Sequence, residues 1–82
     1  MVKHYVVVLE WATNDDAGVI IVGVEHTFYK AKESLDHLVI EERKIAAENG
    51  WEVFEDNDYV FDAGESGYYA AEHTKAYIQG VP

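Results

Sequence analysis

The chain has no cysteine among its 82 residues, so disulfides and thiolate metal sites are excluded. That absence fits a reducing compartment. Basic residues are scarce: six Lys and Arg stand against sixteen Asp and Glu, for a formal charge of −10. Direct nucleic-acid binding needs clustered Lys and Arg to neutralise phosphates, and anionic membranes repel the same surface. The longest apolar run is about five residues, far short of the ~20 a membrane-spanning helix needs. Met1-Val2-Lys3-His4-Tyr5 leads into a strand-like run without a signal-peptide apolar region, which predicts a cytoplasmic protein. With one proline and six glycines, the chain lacks the composition of a linker or low-complexity segment.

The longest gap in positive charge is the most informative one. Between Lys44 and Lys75 there is no Lys or Arg, but there are eight acids: Glu48, Glu52, Glu55, Asp56, Asp58, Asp62, Glu65 and Glu72. Trp51, Phe54, Tyr59, Phe61, Tyr68 and Tyr69 are interleaved with them. Hydrophobic residues at 49% are too many for a disordered acidic chain, so a folded domain is expected. At this length the whole chain, residues 1–82, is one domain. Such a domain buries only about 60–65% of its unfolded surface, so its stability is marginal unless it associates.

His4–Trp11 and Ala17–Glu25 are rich in β-branched and aromatic residues, and Thr13-Asn14-Asp15-Asp16 between them is a turn cluster. The pair predicts a hairpin, with Gly23 marking a bulge or a close approach. Thr27 is an N-cap candidate. Phe28, Ala31, Leu35, Leu38, Glu42 and Ile45 recur at helical spacing, with Val39 and Ala46 alongside, and Glu42 interrupts the apolar stripe. Asn49-Gly50 stops a helix over 28–49, and Trp51 packs back on its last turn. Short strands are expected over 51–54 and 59–62, joined by an Asp56-Asn57-Asp58 turn, followed by a loop over 63–67 and a last strand over 74–79. The order is β-β-α-β-β-β: an α+β domain, mainly antiparallel, with one long helix on one face of the sheet. Trp51, Phe54, Phe61 and Tyr69 are expected beneath the helix. One helix covers one face, and the hairpin is apolar on both, so a homodimer formed through the sheet is expected.

No catalytic signature emerges. Glu65-Ser66-Gly67 is not a nucleophile elbow, because Gly64-Glu65-Ser66-Gly67 is one residue short of G-x-S-x-G. Ser34 falls on the polar side of the expected helix. Asp56-Asn57-Asp58 with Asp62 and Glu65 lacks the glycine that turns a calcium loop. His4 and His26 would face each other across the hairpin, but two ligands, even with Glu72 or His73 nearby, do not make a zinc site. No metal and no cofactor is expected.

Trp11-Ala12-Thr13-Asn14-Asp15-Asp16, Asn49-Gly50-Trp51-Glu52 and Phe61-Asp62-Ala63-Gly64-Glu65-Ser66-Gly67-Tyr68-Tyr69 give the chain its character. On these residues it resembles short acidic proteins of unassigned role from Gram-positive bacteria and their phages. The resemblance implies no catalytic residues. Small phage inhibitors of the anti-CRISPR and anti-restriction kind are similar in size and charge only.

The leading expectation is a non-enzymatic protein-binding module, in its sharpest form a nucleic-acid-mimicking inhibitor of a basic protein. Its contact residues would be Glu55, Asp56, Asp58, Asp62 and Glu65, with Tyr59, Tyr68 and Tyr69 as anchors. One alternative is a homodimeric accessory protein whose acidity serves solubility. Another is a small-ligand binder or enzyme with a pocket lined by Trp11, Tyr68 or His73.

Overall fold

A computed structural model describes residues 1–68 and 70–82. The expectation that Tyr69 packs under the helix or anchors a partner lies outside the described residues. The described elements run β1 (His4–Ala12), β2 (Ala17–Glu25), α1 (Phe28–Asn49), β3 (Glu52–Asp56), β4 (Val60–Gly64) and β5 (His73–Val81). The strands form one antiparallel sheet in the order β2-β1-β5-β4-β3. The fold is the expected α+β arrangement, two hairpins joined through β5, with α1 lying on one face.

The β1–β2 turn is held by Thr13, whose N–H donates to the Asp16 carbonyl at 2.7 Å and whose Oγ1 accepts from the Asp16 N–H at 3.1 Å. Gly23 does flank a bulge: Val7 faces Gly23 and Val8 faces Ile21, which leaves Val22 as the extra residue. Thr27 caps α1, its Oγ1 accepting from the Lys30 N–H at 3.2 Å. The helix ends at Gly50, whose φ of 67° is the left-handed conformation that glycine adopts without a Cβ penalty. The Trp51 N–H then donates back to the Ala46 carbonyl at 2.9 Å, and its ring is partly buried against the core.

The core lies between α1 and the sheet. Ala31, Leu35, Val39 and Ala46 of the helix meet Val7, Phe61, Ala63 and Ala76 of the strands. Four expectations change here. Glu42 does not interrupt the stripe: it is buried, and its carboxyl accepts from Thr74 Oγ1 at 2.6 Å. Ile45 is left exposed, because Ala46 takes the inward position. Phe54 is exposed rather than under the helix, because β3 bulges between Val53 and Glu55 and turns it out. Ala63 and Gly64 belong to buried strand, not loop. Small side chains are required there: a Cβ on Gly64 would meet the Glu72 carbonyl oxygen at 2.7 Å.

The face opposite α1 has no covering element among the described residues. Strand register puts Val19, Ile21, Val24, Val6, Val8, Tyr77 and Val60 on it. The β2 hairpin arm is an edge strand, with Val19, Ile20, Ile21, Val22 and Val24 all exposed.

Candidate functional site

The acidic stretch folds into the end of the sheet farthest from β2. The turn between β3 and β4 is built by Asn57, whose Oδ1 accepts from the N–H groups of Tyr59 at 2.8 Å and Val60 at 3.2 Å. This leaves β3 as the second edge strand, exposed along all five residues. Glu52 and Glu55 lie on that edge, Asp58 on the adjoining turn, and Glu48 on the last turn of α1. All four side chains are exposed and make no hydrogen bond or ion pair with any described residue. Val53 and Phe54 stand exposed between Glu52 and Glu55, and Tyr59 is exposed just beyond Asp58. Tyr59 is steadied by its ring contact with Phe28, centroids 5.5 Å apart, and its carbonyl accepts from the Ile78 N–H at 3.1 Å.

The residues expected to form the binding surface are divided by the fold. Glu55 lies opposite Asp62 on the uncovered face and Asp58 on the β3–β4 turn, whereas the Tyr59 ring packs on Phe28 at the start of α1. Asp56 lies opposite Phe61, on the helix side of the sheet, where Arg43 grips it with bonds of 2.6 and 3.2 Å. Hydrogen bonding to Asp56 holds the Arg43 pKa above its ordinary value, against the opposing effect of desolvation. The Arg43 guanidinium also lies over the Phe61 ring at 5.6 Å. Asp62 is on the uncovered face, 2.5 Å from His73 Nε2. Glu65 turns inward on its loop: its Oε1 accepts from the N–H groups of Glu72 at 2.7 Å and Ala71 at 3.3 Å. Tyr68 is 93% exposed on the same loop. Three of the five expected carboxylates are therefore engaged within the chain. Glu48 and Glu52 join Glu55 and Asp58 instead, and Phe54 joins Tyr59. Glu52, Glu55 and Asp58 have no basic residue nearby in the chain, whereas Glu48 lies one helical turn from Lys44, which pairs with Glu41 instead.

A polar row crosses the uncovered face. The register aligns Glu10, Lys75, Asp62 and Glu55 on four adjacent strands. Tyr77 donates its hydroxyl to Glu10 at 3.0 Å, and Lys75 Nζ lies over the Tyr77 ring at 5.4 Å. Partial desolvation, and then the hydrogen bond and negative charge of Glu10, raise the Tyr77 pKa above its ordinary value.

His4 and His26 do meet across the hairpin, ring centroids 5.3 Å apart. His73 is at the opposite end of the sheet, since it aligns with Ala12 while His4 aligns with Val81. No group of three metal-ligating side chains converges among the described residues. Trp11 shares the helix side with Thr74, whereas His73 points to the other face, so Trp11, His73 and Tyr68 do not line one space. No concave pocket is present among the described residues. Ser34 is half-buried toward Gly23 of β2 rather than on the helix's polar side. No described helix is long and apolar enough to cross a membrane.

The chain matches no protein-family model, and neither a curated protein nor a solved structure is significantly similar to it.

Proposed function

We propose that this protein is a non-enzymatic protein-binding module whose β3 side docks on a basic protein surface, of the kind that otherwise holds nucleic acid. The observation that carries this reading is the run of unpartnered carboxylates at Glu48, Glu52, Glu55 and Asp58, interleaved with exposed Val53, Phe54 and Tyr59. Glu52 and Glu55 on β3, with Glu48 at the end of α1 and Asp58 on the β3–β4 turn, hold negative charge on a fixed surface, and their field steers a cationic partner. The exposed aromatics supply contact area that desolvates the centre of such an interface. An edge strand adds unpaired backbone groups that an extended segment of the partner can bond.

Asp56, Asp62 and Glu65 act in this reading as supports, because each is already bonded within the chain. Cross-linking a captured basic protein through its lysines tests the reading. Links should concentrate on Glu48, Glu52, Glu55 and Asp58. Links spread evenly over the acids of α1 and the β1–β2 turn would contradict it, and would favour acidity that serves solubility.

A further inference from the structure

The two edges of the sheet have opposite chemistry. The β3 edge carries Glu52, Glu55 and Asp56 in five residues. Charges on an edge strand are the usual guard against unwanted strand pairing. The β2 edge is guarded only at its C-terminal end, by the bulge at Val22 and by Glu25. From Ala17 to Val24 it contains no charged residue and no proline, and its outward side chains are large: Val19 is 65% exposed and Ile21 63%. The surface area is also large for the mass. A folded monomer of 9.3 kDa presents about 5,000 Å², whereas this chain presents 5478 Å².

We propose that the β2 edge is the interface for a second copy of this chain, which pairs β2 with β2 antiparallel about a twofold axis perpendicular to the sheet. Three features select a second copy. Antiparallel pairing of one strand with itself is closed and self-complementary, so each copy uses its single bare edge once. A chain of charge −10 repels its own kind, and of the two edge strands β2, with Glu25 its only acid, is the one where that repulsion is weaker. The acidic β3 edges remain outermost and repel further addition, so assembly stops at two. Face-to-face stacking of the uncovered sheet faces is disfavoured, because it would bury the row of Glu10, Lys75, Asp62 and Glu55.

The bulge narrows the register. Side chains alternate regularly only up to Ile21, with Val22 as the extra residue. A register centred on Ile20 pairs Val19 to Ile21 with itself, short of the bulge at Val22, and puts Val19 opposite Ile21 of the other copy on one face. Both helices then lie on the same side of a ten-stranded sheet. The two β3 edges stand roughly 40 Å apart at a strand spacing near 4.8 Å. The proposal does not rest on the acidic reading of β3, and each can fail without the other.

Sedimentation at tens of micromolar should give twice 9.3 kDa. The Val19→Lys, Ile21→Lys variant should sediment at the single mass with its circular dichroism unchanged, and Val53→Lys on the other edge should stay at the double mass. Because the chain has no native cysteine, Ile20→Cys provides a second test that does not depend on the lysine variant folding. Directly opposed residues have Cβ atoms about 4.5–5.5 Å apart, within reach of a disulfide after small adjustment. Mild oxidation should therefore yield a covalent dimer of Ile20→Cys and not of Val53→Cys. A single mass for the wild type, a double mass that survives the lysine pair, or a dimeric Ile20→Cys that does not cross-link would each overturn the proposal.

Discussion

Thr74 Oγ1 donates to Glu42 Oε1 at 2.6 Å, joining the middle of α1 to β5 through the core. Both residues are buried, so this is a buried polar link between the two layers, unlike the exposed Arg43–Asp56 pair. Removing one member leaves the other without a partner, which costs more than the bond itself contributes. Thr74→Val should destabilise the fold by about 1–3 kcal/mol in urea titration. Adding Glu42→Leu should recover most of that loss, since replacing both polar groups by apolar ones of similar size is often neutral. A double variant no more stable than Thr74→Val would show that the carboxyl has a second role.

Gly64 lies where β4 passes the start of β5, and an added Cβ would reach the Glu72 carbonyl at 2.7 Å. That neighbour is backbone and cannot swing away. Gly64→Ala should cost about 1–3 kcal/mol, as overpacking does elsewhere. Its urea midpoint should fall with no change in slope. An unchanged midpoint would mean that the β4–β5 connection moves freely.

Tyr77 supplies a pH signature. Its pKa is raised in the fold, by desolvation and then by Glu10, so the folded chain holds this proton more tightly than the unfolded one. That contribution is fully present below the ordinary tyrosine pKa of about 10 and is lost as pH rises through the folded value. Alkaline unfolding of the wild type should therefore steepen above about pH 10 relative to Tyr77→Phe. Identical alkaline slopes would remove the Glu10–Tyr77 contribution.

Much of the fold was legible in the sequence, for identifiable reasons. Thr27 and Gly50 bracket α1 because capping is local chemistry, and helical spacing between them leaves few alternatives. The β1–β2 hairpin was legible from its turn cluster. Glu42 was misread because a charge in an apolar stripe looks like an error until its partner, Thr74, is known from tertiary structure. Ala63 and Gly64 looked like loop because small residues signal turns, although here a tight strand crossing requires them. The expected site residues are divided by the fold. Glu55 and Asp58 lie near the β3 edge, whereas the Tyr59 ring packs on Phe28 at the start of α1. Asp56 and Asp62 were already committed to Arg43 and His73, pairings that depend on contacts thirteen and eleven residues apart. The insertion of β5 between β1 and β4 leaves no local trace, and it is what makes β2 and β3 the two edges.

The β3 side should dominate any electrostatic contact. Binding to a basic partner should weaken steeply as salt rises, since exposed charges separated by more than a Debye length are screened. A partner held equally well at low and high salt would point to the apolar face instead.

The central claim is tested most directly by charge reversal at matched count. Glu52→Lys, Glu55→Lys, Asp58→Lys changes the β3 side, and Glu33→Lys, Asp36→Lys, Glu41→Lys changes α1 by the same total charge. Low-salt capture of a basic partner is then compared for the two folded variants. The β3-side variant should lose the partner, and the helix variant should keep most of its binding. Equal loss in both would show that net charge, and not this edge, attracts the partner.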